Sequence, residues 1–235
     1  MRHFFAATTA LAMLAISGCG GATDKAAVED IVKNYLLENP ELIVEALEIY
    51  DKRESLAAFE SIKPAIFNDP RDISIGPEDA KVTVVEFFDY NCGYCKKSAD
   101  WMKTLIETHG DDVRIVFKEL PLLDRRSKTS RHAAKAALAA GLQGQYTKMH
   151  FSLMAERSLT PERIEKLAEA MELDMEKFKA DLASDDLERH INDGMNVARQ
   201  IPDFGGTPFY YVNDEAVSGA NLPRLDELIK EGLGS

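Results

Sequence analysis

Val82-Thr83-Val84-Val85-Glu86-Phe87-Phe88-Asp89-Tyr90-Asn91-Cys92-Gly93-Tyr94-Cys95 is the stretch around which the rest of the chain organises. Its first half is β-branched and aromatic, and apolar on both faces except at Glu86. That is the pattern of a central strand covered by helices on both sides. Tyr90-Asn91 turns, and a helix follows from about Cys92 to His109, closed by Gly110. Val113-Arg114-Ile115-Val116-Phe117 is the next strand, so residues 82–117 read as a βαβ unit with parallel strands and a right-handed crossover. From Ser127 to Gln200 the pattern is helical, with Thr160-Pro161 and Ser184 opening helices as capping and first-turn residues do. Phe209-Tyr210-Tyr211-Val212, the turn Asn213-Asp214 and Ala216-Val217 form a hairpin, and Asn221 caps a terminal amphipathic helix. The sum is an α/β fold with a helical insertion at about 127–200.

The cysteine pair lies where a strand meets a helix start. A thiol there faces unpaired backbone N–H groups and the positive end of the helix dipole, which favour thiolate. A second thiol three residues on lies on the same helical face, close enough to form or resolve a disulfide. Cys92 and Cys95 are therefore candidate redox residues, with Lys96 and Lys97 adding positive charge nearby. Two other readings stay open. A zinc half-site needs a second ligand pair, and His109, His132, His150 and His190 show no paired spacing. A structural disulfide between Cys92 and Cys95 would close a very short loop for little entropic gain. Met149-His150 with Met154 sets soft groups at helical spacing, which suits either copper or a core helix face. Trp101 reads as core, and Asp111-Asp112 and Asp185-Asp186 as turn or helix-start charges. No metal and no cofactor is expected.

Upstream, Lys63 to Asp79 carries Pro64, Pro70 and Pro77 and reads as a linker with one short strand at Ile73–Ile75. Before it, residues 24–62 read as helix broken once at Asn39-Pro40. The phase Val28, Tyr35, Leu42, Ile49, Leu56 is apolar at every step, and a helix pair this short has no core of its own. It needs a partner surface, either the rest of the chain or a second copy; self-association is the expectation. At the very start, Met1-Arg2-His3 precedes an apolar run from Phe4 to Ile16, shorter than the roughly 20 residues of a membrane span. It reads as a secretory signal. Ile16-Ser17-Gly18-Cys19 looks like a lipobox, with Cys19 the lipidated residue; an ordinary signal peptide cut later is the alternative. Gly20, where an Asp would favour inner-membrane retention, points to the outer membrane.

The 235 residues carry 28 Lys+Arg against 40 Asp+Glu, a net charge of −12 that excludes the basic footprint of a nucleic-acid partner. Three cysteines are too few for a disulfide-stapled scaffold.

Phe87-Phe88-Asp89-Tyr90-Asn91-Cys92-Gly93-Tyr94-Cys95-Lys96, with Gly206-Thr207-Pro208 far downstream, resembles the DsbA-like branch of the thioredoxin superfamily over about residues 72–233. The N-terminal helical piece resembles the oligomerisation extension of the ScsC-like disulfide isomerases. The resemblance implies a thioredoxin-like fold and three parts: a lipoprotein signal peptide at 1–18, an oligomerisation segment at 19–63, and a DsbA-like domain at 64–235. It places the attacking cysteine at Cys92, the resolving one at Cys95, the cis-proline that meets a substrate strand at Pro208, and a buried proton-handling acid at Glu86. Lys118, at the end of the second strand, is a candidate partner for Glu86. Thr207, Gly93 and Tyr94 join Pro208 as candidate substrate contacts. Strongly oxidising relatives have Pro-His between the cysteines and an apolar residue before the cis-proline. Gly93-Tyr94 and Thr207 depart from both, toward a less oxidising couple.

The expectation is a periplasm-facing thiol:disulfide oxidoreductase, an isomerase in preference to an oxidase or reductase. It would be anchored in the outer membrane by lipid, or soluble in the periplasm. Its expected partners are cysteine-containing exported proteins, a membrane redox partner and further copies of itself. The contrasting expectation is a lipid-anchored assembly module whose cysteine pair is inert.

Overall fold

A computed structural model of the chain describes residues 24–234. The signal peptide and the lipidation expected at Cys19 lie outside the described residues. The chain divides into two compact units, residues 1–52 and 53–235.

In the first unit, α1 (Lys25–Glu38) opens on Asp24, whose side chain accepts from the Ala26 N–H. The Asn39 side chain donates to the Tyr35 carbonyl at 2.8 Å and closes the helix, and Pro40 precedes the start of α2 (Glu41–Phe67). Val28, Ile31, Val32, Tyr35 and Ile49 are all exposed, so the apolar stripe read from the sequence lies open.

In the second unit the last turns of α2 are buried through Phe59, Ile62, Ile66 and Phe67. The helix runs through Pro64 to Phe67, where the sequence suggested a linker from Lys63. A proline inside a helix loses a hydrogen bond and is normally a breaker. Here the burial of Ile66 and Phe67 beyond it against Val85, Phe87, Val116 and Tyr211 outweighs local propensity.

Five strands follow in the order β1-β3-β2-β4-β5: β1 (Ile73–Ile75), β2 (Val82–Phe88), β3 (Val113–Glu119), β4 (Phe209–Val212) and β5 (Glu215–Ser218). β2 and β3 are parallel, as the βαβ reading requires, and the other three pairings are antiparallel. Alternation along β2 builds two cores. Val82, Val84 and Phe88 face one, with α3 (Gly93–His109) and the insertion; Val85 and Phe87 face the other, with the end of α2.

The insertion comprises α4 (Asp124–Ser127), α5 (Ser130–Gly141), α6 (Tyr146–Ala155), α7 (Pro161–Ala170), α8 (Met175–Leu182) and α9 (Asp185–Ala198), starting three residues before the expected Ser127. Thr160 and Ser184 cap α7 and α9 as read. The terminal α10 (Leu222–Leu233) is capped by Asn221. Met149, His150 and Met154 are core: the His150 ring packs edge-on to Phe88 at 4.8 Å, and burial pushes its pKa down to about 3. Trp101 is only half-buried, its Nε1 donating to Asp226.

Ile66 is fully buried, so Ile66→Ala is expected to cost about 2–5 kcal/mol of stability in chemical denaturation. Leu142→Ala, on a side chain 57% exposed, should stay within about 0.5 kcal/mol of wild type. An Ile66→Ala protein of unchanged stability would contradict the packing of the α2 end.

Candidate active site

β2 ends at Phe88 and α3 begins at Gly93, which leaves Cys92 as the N-cap of α3. No side-chain oxygen caps this helix. The Cys92 side chain makes no capping hydrogen bond either, so the amides at the helix start stay free to act on its sulfur, and those of Tyr94 and Cys95 favour its thiolate. The Cys95 thiol gives the largest contribution. Together with the Thr207 side chain, these groups hold Cys92 down at about 5 against the opposing cost of burial. As a neutral thiol, Cys92 donates to the Thr207 carbonyl at 3.2 Å. Cys95, fully buried one turn into α3, is shifted the other way: burial, its bond to Cys92 and the Glu86 charge all raise it. Both cysteines are free thiols.

The Thr207–Pro208 peptide is cis, as expected, and Pro208 is buried where the chain enters β4. The intervening Gly93 and Tyr94 are exposed, and a side chain at Gly93 would meet nothing within 4 Å. Lys97 lies 5.2 Å from the centre of the Tyr94 ring, a cation–π contact at the rim of the cysteine pair. Lys96 ties α3 to the end of α6 by donating to the carbonyls of Leu153 and Glu156.

Glu86 is buried on the core face of β2, and burial raises its pKa to about 7, with the Cys92 charge adding to the effect. Lys118 is not its partner. In the parallel register Glu86 faces Phe117 and Phe87 faces Lys118, so alternation sends Lys118 to the opposite side of the sheet. There Lys118 donates to the Ala65 carbonyl and to Asp72, which also meets His190 at 2.9 Å. The group that does meet Glu86 is Tyr210, its cross-strand neighbour on β4. The Tyr210 hydroxyl donates to Glu86 at 2.8 Å and lies 2.8 Å from the Ser98 hydroxyl, which in turn donates to the Cys95 carbonyl at 3.0 Å. Tyr210 and Ser98 were not singled out in the sequence; the two-residue spacing of Tyr210 from Pro208 was the available signal.

A second buried acid also escaped the sequence reading. Glu119, at the end of β3, accepts from the hydroxyls of Tyr90 at 2.9 Å and Tyr146 at 2.8 Å. Burial pushes its pKa well up. Its other oxygen has no hydrogen-bond partner among the described residues.

Chemically, the arrangement offers one stabilised thiolate at Cys92, 7% exposed, one fully buried thiol at Cys95 and a buried carboxyl able to take a proton near neutrality. The sign of the Glu86 effect on stability follows from its pKa, about 7 folded against 4.5 for the free group. Below about 4.5 both states are protonated and Glu86 carries no penalty. Between there and about 7 the folded chain binds the proton more tightly, so stability falls as pH rises through this window and is flat above it. The loss is on the order of 3 kcal/mol. Reduced wild type should therefore lose about 3 kcal/mol relative to Glu86→Gln between about pH 4 and about pH 8, measured by denaturation. A difference that is constant across that range would contradict a buried, titrating Glu86.

Comparison with known proteins agrees with this geometry. Residues 68–231 match the thioredoxin family, and residues 24–57 match the copper resistance protein ScsC N-terminal domain. The thiol-disulfide exchange protein alpha-DsbA2 from Wolbachia pipientis superposes with a TM-score of 0.69 at 27% identity, covering 77% of this chain and 97% of that one. Proteus mirabilis ScsC in a transitional conformation gives 0.65 at 26% identity, covering 91% and 96%. The Na(+)/H(+) antiporter NhaA 3 of Salinispora tropica is 33% identical over 167 residues, 70% of this chain and 25% of the antiporter. The chain thus spans about a quarter of the length of the curated relatives it matches. With a family match across most of its length, on a sheet and helix arrangement that sets a cysteine pair beside a cis-proline, the chain belongs to the thioredoxin family and is similar within it to the DsbA and ScsC proteins.

Proposed function

We propose that the chain is a thiol–disulfide oxidoreductase acting on cysteine-containing exported proteins, and that within this class it is an isomerase. The observation that carries the reading is the asymmetry of one cysteine pair: Cys92 held as a thiolate at about 5, Cys95 buried and shifted upward. The Cys92 thiolate attacks a substrate disulfide, forming a mixed disulfide and expelling one substrate thiolate. In isomerisation that thiolate, or another substrate cysteine, attacks elsewhere and finally expels Cys92, so no net electrons pass. When release is slow, Cys95 gives its proton to ionised Glu86 and attacks the Cys92 sulfur. The substrate leaves reduced by two electrons and the pair is oxidised; a membrane dithiol partner returns it to the reduced state.

An isomerase works from the reduced form, which a stabilised Cys92 thiolate favours; the same stabilisation makes the couple more oxidising, against the expectation drawn from Gly93-Tyr94. Backbone amides and Cys95 provide that stabilisation without a histidine between the cysteines. Thr207 beside Pro208 is the second support. The exposed apolar residues between Val28 and Leu56 are the third: pairing them with copies of themselves sets several cysteine pairs around one client at high effective concentration. No described helix is long and apolar enough to cross a membrane, and the proposed attachment is a lipid at Cys19, facing the periplasm from the outer membrane. In this reading residues 1–18 are the signal peptide, 19–63 the oligomerisation segment and 64–235 the catalytic domain.

Cys95→Ser is expected to accumulate mixed disulfides with client proteins and Cys92→Ser none, read on non-reducing gels. Equal trapping by both variants would contradict the assignment. A soluble Cys19→Ser form should sediment as an oligomer and reactivate a scrambled disulfide substrate; removal of residues 24–52, which spares the buried Phe59 and Ile62, should leave a monomer and abolish most of that reactivation. A monomeric full-length form would remove the oligomer claim, and isomerase activity that survives the deletion would remove its mechanistic half.

A further inference from the structure

Asp89 sits between β2 and the cysteines, 1% exposed, and makes contacts in two directions. Its backbone holds the cysteine turn. The Asp89 carbonyl accepts the Cys92 N–H at 2.9 Å, and its backbone amide acts on the Cys95 thiol, lowering its pKa against the larger effect of burial. Its side chain holds the start of the insertion. One carboxylate oxygen accepts the Leu123 N–H at 2.7 Å; the other accepts the Ser130 hydroxyl at 2.7 Å and the Asn91 N–H at 2.7 Å. Asn91 repeats the connection, its side-chain amide reaching Ser127, Thr129 and Ser130 at 3.0–3.1 Å. These three donors leave neither carboxylate oxygen without a hydrogen bond, and each bond to a charged acceptor is stronger than a neutral one.

We propose that Asp89 is a positioning residue that locks the Cys92–Cys95 turn to the first loop of the helical insertion, and so fixes the Cys92 sulfur over the amides of α3. The inference rests on the redox reading of the pair given above. Geometry makes the link direct. Moving Leu123 and Ser130 moves the Asp89 carboxylate, and the same residue carries the carbonyl that fixes Cys92 and the amide that acts on Cys95. The insertion is thereby a support for the reacting sulfur as well as a cover for the core.

Charge and position act in opposite senses here, which makes the proposal testable. The charged and titratable groups around this turn are Lys96 on α3, Glu86 on β2, Glu119 on β3, Asp124 on α4 and the cysteines themselves. Removing the Asp89 charge alone would make a nearby thiolate easier to form. Removing its hold on the turn would misalign the capping amides and make the thiolate harder to form.

The experiment is the pH dependence of Cys92 alkylation in the reduced full chain, followed by mass spectrometry, with thermal stability measured in parallel. Asp89→Asn keeps the shape but puts an amide where at least one donor must be accepted. It is expected to move the alkylation midpoint up by about one unit, a tenfold loss of thiolate at a given pH below both midpoints. Ser130→Ala, which removes one of the three bonds, is expected to move it up by less. An unchanged midpoint with lowered stability would reduce Asp89 to a fold-holding residue and overturn the proposal; a downward shift would overturn it in favour of charge alone. Should Asp89→Asn fail to fold, Ser130→Ala decides, and no shift there overturns the proposal. A wild-type midpoint at the ordinary thiol value would instead overturn the redox reading itself, whatever the variants do.

Discussion

A cysteine stands at the N-cap position of a helix in this protein, and the site is built on that placement. Every helix begins with N–H groups that have no partner within it, and an Asp, Ser or Asn usually supplies one. At α3 the position falls on Cys92, which makes no side-chain capping bond, and the amides of Tyr94 and Cys95 help to lower its pKa. A thiolate attracts such donors better than a thiol does, and the helix dipole acts in the same sense. Helix formation and thiolate formation therefore favour each other. The strand–turn–helix geometry that places α3 at the end of β2 is what fixes the alignment.

Strand alternation then decides what surrounds the pair. Glu86 and Tyr210 are cross-strand neighbours in β2 and β4 and so lie on one face, where Tyr210 and Ser98 connect the acid to the helix that carries Cys95. The same alternation sends Lys118 through the sheet to Asp72, keeping a permanent positive charge off the core face beside Glu86. A cation beside Glu86 would hold it ionised. Without one, burial lifts the carboxyl into the range where it exchanges a proton near neutral pH. The two faces of one sheet thus separate a structural ion pair from a titrating acid.

Much of this was legible in the residues. The βαβ unit, the cysteine pair at the helix start and the buried Glu86 follow from the pattern of residues 82–117, the cis bond at Thr207–Pro208 from the family resemblance, and the structure bears them out. What escaped were partners distant in the chain. Tyr210 is 124 residues from Glu86 and Ser130 is 41 from Asp89; both meetings depend on how strands pair and where an insertion folds back, which no local pattern encodes. The Lys118 expectation failed for a related reason: the residue type was apt, but the register set its face. The three prolines between Lys63 and Asp79 suggest a linker, but the burial of Ile66 and Phe67 carries the helix through Pro64. His150 and its flanking methionines belong to the core, where aromatic packing explains them without a metal.

These contacts converge, in the function we propose, on reversible two-electron chemistry between Cys92 and Cys95. Its most direct measurement is a redox titration: the full chain equilibrated in glutathione buffers of graded ratio, quenched, and its free thiols located by alkylation and mass spectrometry. The predicted result is one reversible transition in which Cys92 and Cys95 lose their thiols together, abolished when either is replaced by serine. A pair that remains entirely thiol or entirely disulfide across the whole series would contradict it.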